Sequence, residues 1–303
     1  MEYHDPVLLP ESIEALKIKE DGVYVDVTFG GGGHSKLILD QLGAKGRLFA
    51  FDQDEEAVAN VFSDERLHFI PHNFRYLKKF LRLAGVTQVD GILGDLGVSS
   101  HQLDKAERGF SYRFEALLDM RMNQQQERKA SDILSDYTAA DLQEMFSKYG
   151  EVRNAKTLAK HIVANRHQKK LLTIGDFLQL LEPLIRGNRN RYLAQVFQAL
   201  RIELNEELLV LEEFLVDANE VLKPNGRLVL ISYHSLEDRL VKNFLKTGNV
   251  DGSFTQDFYG NIERPFKLIT KKPILASDEE TARNPRARSA KMRIAEKPKN
   301  KKD

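Results

Sequence analysis

Four consecutive glycines, Gly30 to Gly33, stand between a strand-forming run, Val23 to Phe29 (VYVDVTF), and a segment with helical spacing, Ser35 to Leu42. Glycine lets a backbone turn sharply and lets a ligand reach main-chain amides where a Cβ would block it. It also loses more conformational freedom on folding than any other residue, so four in a row are costly. At a strand-to-helix junction that cost is offset when the loop and the unpaired N–H groups of the next helix receive a polar or anionic ligand. The alternative is a glycine-rich turn that binds nothing.

The alternation begun there continues. Arg47 to Phe51 (RLFAF) is closed by Asp52, Leu67 to Ile70 (LHFI) follows, and Val89 to Leu93 (VDGIL) is closed by Gly94-Asp95; Asp54 to Phe62 has helical spacing. Strands alternating with helices predict a parallel sheet covered on both faces. From Glu107 to Tyr192 the strand pattern stops. Asp132 to Leu134, Ala139 to Phe146 with Thr138 as N-cap, Val152 to Lys170, and Ile174 to Ile185 read as helices, so a helical insertion interrupts the sheet. A helix from Asn205 to Leu222 then stops at Lys223-Pro224-Asn225-Gly226. Arg227 to Ser232 (RLVLIS) is a buried strand, Glu237 to Leu245 a helix, and Lys267 to Thr270 and Lys291 to Ala295 can pair as closing strands.

Asp52 stands 19 residues beyond Gly33, at a strand end. In open parallel sheets that position meets ribose hydroxyls. Glycine loop plus acid reads as an adenine nucleoside site. A dinucleotide loop needs G-x-G-x-x-G, but the third glycine position falls on Ser35 or Lys36. Asp26, four residues before Gly30, fits instead the acid-x-x-x-glycine pattern of S-adenosylmethionine sites. A nicotinamide dehydrogenase is the weaker reading.

Gly94-Asp95-Leu96-Gly97 ends the fourth strand, which places Asp95 beside the cofactor. A base amine is a poor nucleophile because its lone pair is delocalised into the ring. A carboxylate that accepts its hydrogens lets the nitrogen aim at a methyl group, so catalysis there is positioning and electrostatics. The other reading is that Asp95 caps a turn or binds cofactor alone. In Ser232 to Arg239 (SYHSLEDR), Tyr233 can stack on an extruded base and His234 can take a proton or hold a phosphate. Helix capping by Ser235, with Asp238 in the first turn, is the plainer reading of the same stretch.

Lys plus Arg and Asp plus Glu are each 45, so charge matters by placement. Between Val152 and Gly175 there is no acid; Arg153, Lys156, Lys160 and His167 share one helical face, opposite Ala155, Leu158, Ala159 and Ile162. Such a stripe suits a phosphate backbone, and a solvated helix face is the bland alternative. Arg186, Arg189, Arg191 and the basic stretch after Arg283 extend it. There is no cysteine, which removes disulfides and thiolate chemistry. With no long apolar run, the expectation is a soluble, cytoplasmic protein without membrane association.

Taken together, TFGGGGHS (Thr28 to Ser35), GILGDLGVSSHQLD (Gly91 to Asp104), ERGFSY (Glu107 to Tyr112), ALLDMRM (Ala116 to Met122), QVFQALRIELN (Gln195 to Asn205), SYHSLEDR and NPRARSAKMR (Asn284 to Arg293), with HDPVLL (His4 to Leu9), resemble the RsmH/MraW family of 16S rRNA cytosine-N4 methyltransferases. The resemblance implies an α/β fold: a class I (Rossmann-like) methyltransferase sheet with an inserted all-α substrate-recognition domain. It divides the chain into residues 1–106 and 193–296 for the methyltransferase domain, 107–192 for the rRNA-recognising insertion, and 297–303 as a disordered basic tail. It implies S-adenosyl-L-methionine as cofactor, contacted by Gly32, Gly33, His34, Asp52, Phe74, Asp95 and Gln102. The residues themselves make Asp95 the candidate catalytic residue and Tyr233, His234, Arg153, Lys156 and Lys160 the candidate substrate contacts, and no metal is expected. The implied partner is 16S rRNA in the small ribosomal subunit, methylated in its decoding region. Oligomeric state stays open, a homodimer included. One departure is Gly94, where a larger apolar residue is expected. A non-catalytic assembly factor keeping the fold is the rival.

Overall fold

The computed structural model describes residues 6–256, 258, 260, 262 and 264–299, and the chain forms two compact units. One comprises the chain up to Gly97 and again from Leu208; the other runs from Val98 to Glu207. His4 and Asp5 lie outside the described residues.

The first stretch gives α1 (Leu9–Leu16), β1 (Val23–Asp26), α2 (Gly33–Gln41), β2 (Arg47–Phe51), β3 (Leu67–Ile70), α3 (Leu77–Leu83) and β4 (Val89–Asp95). β1 is shorter than the VYVDVTF run because the chain bends at Val27, and Val27 and Phe29 bond Leu93 and Phe51 singly as it leaves the sheet. The helix expected over 54–62 is only a 3-10 turn, Glu55–Asn60. Its one buried residue is Ala57, while Val58 and Val61 are exposed, so it has no apolar stripe to bury.

The second unit contains α4 (Ser100–Asp104), α5 (Ala130–Asp136), α6 (Ala139–Gly150), α7 (Ala155–Asn165), α8 (Ile174–Leu181) and α9 (Arg189–Leu204). Thr138 caps α6 through a reciprocal box with Asp141, as its sequence predicts. α7 is shorter than the 152–170 reading. Val152 enters the core before the helix starts, and beyond Asn165 the Arg166 guanidinium is drawn to the carbonyls of Leu134 (3.1 Å) and Tyr137 (2.6 Å). The core of this unit is its own: Leu142, Phe146, Leu158, Ile162, Phe177, Leu193, Val196 and Leu200 are fully buried together. It reaches further at both ends than the 107–192 segment, because Val98 and Leu103 pack on this core and α9 buries Leu204 in it. Loop residues hold it too: Asn205 accepts from Met122 N–H (2.9 Å) and donates to the Met120 carbonyl (3.0 Å).

The chain closes with α10 (Glu207–Val221), β5 (Leu222–Ser232), α11 (Ser235–Thr247), β6 (Lys267–Leu268), α12 (Asp278–Arg283) and β7 (Lys291–Glu296). Lys223 to Gly226 ends the helix as expected, yet belongs to β5: Leu222 already pairs with Val89, and the register shifts before Gly91 meets Arg227. The sheet order is β3-β2-β1-β4-β5-β7-β6, parallel through β5, with β7 antiparallel to both neighbours. Strand alternation sorts the two faces. Val23, Val25 and Val27 pack with Leu77, Leu81 and Phe214 on one side, while Tyr24 packs with Leu16, Ile38 and Leu39 on the other. Lys297 is held, exchanging main-chain hydrogen bonds with Asn225 and Gly226; 300–303 of the expected disordered tail lie outside the described residues. Among the described residues no helix is long and apolar enough to cross a membrane.

Candidate active site

In the first unit the carboxyl ends of β1, β2 and β4 bring the glycine loop, Asp52 and Asp95 to one edge. Gly30 and Gly32 have φ of 51° and 78°, the left-handed region that a side chain disfavours. Gly33 is glycine for a different reason: a Cβ would come 2.2 Å from Pro6 Cγ. Asp26, fully buried, accepts from Thr28 N–H (3.0 Å) and from the Ser35 hydroxyl (2.7 Å). Thus Ser35, at the place of a third glycine, ties helix to strand by a hydrogen bond. Burial raises the Asp26 carboxyl above its ordinary range, against those bonds.

Asp52 Oδ2 accepts from Gly30 N–H (2.8 Å) and Oδ1 from Asp54 N–H (2.9 Å), so the acid fixes the loop it stands beside. Desolvation pushes it up to about 6, opposed by those two amides. His34, on the first turn of α2, is buried; its ring bonds the Val7 backbone, and its Nε2 has no hydrogen-bond partner among the described residues. Burial lowers its pKa, opposed by the charge of Asp95. Phe74 follows β3, half-buried, and meets Phe214 edge to face at 5.2 Å.

Asp95 ends β4. Its main-chain N–H donates to Thr28 Oγ1 (2.7 Å), and its Oδ1 accepts from the Tyr233 hydroxyl (2.7 Å). Burial pushes it up to about 6, opposed first by His34 and then by the Tyr233 bond. The residue that caps α11 is His234, not Ser235: Nδ1 accepts from Glu237 N–H (3.4 Å), and Glu237 Oε2 accepts back from Tyr233 N–H (3.0 Å) and His234 N–H (3.4 Å). Asp238 is in the first turn as predicted, paired with Arg293 (2.7 Å). Gly94 has a local reason: a Cβ would come 2.9 Å from both Leu230 and Val27.

Gln102 lies in the helical unit, where its side chain closes a capping box with Ser99 (3.0 Å). In that unit Arg153, Lys156 and Lys160 are exposed while Ala155, Leu158, Ala159 and Ile162 are buried. The predicted two-faced helix is present, but its neighbours differ in kind. Arg166 is spent on carbonyls, and Lys169 pairs with Asp176 (2.9 Å). Sequence reasoning missed Thr28 and Glu237, whose roles depend on neighbours distant in the chain.

The sequence profile of the MraW methylase family matches residues 1–298. The chain belongs to this family. Among its relatives, the ribosomal RNA small subunit methyltransferase H of Phocaeicola vulgatus is 55% identical over 296 residues, 97% of each chain. That of Flavobacterium johnsoniae is 55% identical over 298 residues, 98% of each. The sheet is an open α/β sheet with an antiparallel β7, and the family's methyl donor is S-adenosylmethionine. The MraW-family chain fits that molecule. It has a glycine loop without Cβ atoms, a buried imidazole nitrogen with no hydrogen-bond partner among the described residues, and the Asp52 carboxylate bonded to that loop.

Proposed function

We propose that the protein methylates the exocyclic N4 amine of a cytosine in small-subunit rRNA, in the decoding region of 16S rRNA. The observation that carries the reading is Asp95, a carboxylate at the end of β4 tethered by Thr28 and Tyr233 beside the glycine loop. The names of the relatives support the ribosomal substrate.

S-adenosylmethionine supplies a methyl group activated on sulfonium. Gly32, Gly33 and His34 hold its polar tail, Asp52 accepts its ribose hydroxyls on lone pairs left by the two backbone bonds, and Phe74 covers the adenine. Gln102 adds a further contact. Asp95 accepts an amine hydrogen, which turns the nitrogen lone pair out of conjugation and toward the methyl carbon. As the amine nitrogen would take the methyl group and the donor's S–CH3 bond would break to leave the neutral thioether S-adenosylhomocysteine, the nitrogen would become positive, and Asp95 would stabilise that charge and take the proton. Tyr233 and His234 stand on the substrate side of Asp95, His234 toward a phosphate, while Arg153, Lys156 and Lys160 bind the backbone. The site of action is the cytoplasm, on small subunits.

The test is nucleoside analysis of small-subunit rRNA from cells with and without the gene, with the purified protein added back. One N4-methylated cytidine disappears without the gene and returns on addition. An unchanged methylation pattern overturns the reading.

A further inference from the structure

We propose that Tyr233 is a positioning residue for methyl transfer: its hydroxyl holds Oδ1 of Asp95 and thereby commits Oδ2 to the acceptor amine. The inference rests on the reading of Asp95 given above.

A carboxylate on a single bond presents two equivalent oxygens and rotates between them, whereas an amine hydrogen has to be met by one oxygen in one place. Asp95 is fastened at two points that remove this freedom. Its main-chain N–H is held by Thr28, which is itself bonded to buried Asp26. Its Oδ1 receives the Tyr233 hydroxyl at 2.7 Å, and Oδ2 receives no hydrogen bond from the described residues. The tether is itself anchored. Tyr233 N–H donates to Glu237, a buried carboxylate, and the Tyr233 ring lies against Gly97, where a Cβ would stand 3.4 Å from it.

Tyr233 does not serve as a base. Burial and the charge of Asp95 push its own pKa well above 10, so it remains a donor across the working range. Among the described residues, His34 from α2 and Tyr233 favour the ionised form of Asp95, while Asp26 from β1 and Glu237 from α11 oppose it. Removing the hydroxyl therefore frees the carboxylate to turn and raises the pH at which it ionises.

Methyl transfer to purified small subunits is measured from about pH 5.5 to 8.5. Wild type, Tyr233→Phe, Tyr233→Leu and Asp95→Asn are compared, each normalised to active sites titrated with S-adenosylhomocysteine. Partial unfolding then lowers the number of sites and leaves the midpoint of the profile alone. For Tyr233→Phe the expected result is a midpoint raised by about one unit and kcat lowered about 10- to 100-fold at pH 7, with KM and cofactor affinity within about threefold of wild type. A Tyr233→Phe profile that superimposes on wild type overturns the inference. If Tyr233→Leu alone is impaired, and through KM, the ring stacks on the base and the inference is wrong. An Asp95→Asn variant with full kcat sinks the underlying reading of Asp95. A dead Asp95→Asn beside a normal Tyr233→Phe sinks only the role given to Tyr233.

Discussion

Single atoms decide most at Asp95 and Asp52. Both carboxyls are pushed up to about 6 by desolvation, above the ordinary value of 3.8. The fold therefore prefers them protonated. Their contribution to stability is fully present below about pH 4 and is lost as pH rises through about 6. Asp95→Asn keeps an oxygen for the Tyr233 hydroxyl and puts an amide nitrogen where Oδ2 has no donor to clash with. The expected outcome is a variant about 1–2 kcal/mol more stable than wild type at pH 7.5, no more stable at pH 5, and inactive in methyl transfer. Thermal melts at the two pH values check this. Asp52→Asn behaves differently because both its oxygens accept backbone N–H groups, so an amide nitrogen faces a donor. It loses about 10- to 100-fold in cofactor affinity by calorimetry and gains no stability.

Among elements, α2 shows how one side chain sets a junction. Ser35→Ala removes a donor from fully buried Asp26 and is expected to cost about 1–3 kcal/mol in chemical denaturation, with cofactor affinity falling as the loop loosens. α7 acts through its exposed face. Charge reversal at Lys156 and Lys160 is expected to weaken small-subunit binding at least about tenfold and to flatten its dependence on salt, with cofactor affinity unchanged. Filter binding across a salt series separates this from an unfolding effect, since Leu158 and Ile162 keep the helix seated.

At the scale of the whole molecule, the helical unit carries a buried core made of its own residues. A fragment of residues 98–207 is expected to melt cooperatively by circular dichroism and to bind rRNA without binding S-adenosylmethionine. The amino-acid sequence by itself determined the strands, the glycine loop, the acids at the ends of β2 and β4 and the two-faced helix, because these follow from short-range rules. Apolar runs bury, glycines turn, and helix faces repeat every few residues. It also showed that a helical segment interrupts the sheet, since the periodicity changes there. Tertiary structure alone decided where that unit ends, because Val98, Leu103 and Leu204 are apolar in sequence and are assigned to a core only by packing. It alone decided that His234 rather than Ser235 caps α11, and that Lys223 to Gly226 falls within β5, at the register shift between Leu222 and Arg227. Most of all it decided the state of Asp95. Its partners Thr28 and Tyr233 lie 67 and 138 residues away in the chain, so no local pattern records that one oxygen is held and the other left for a ligand.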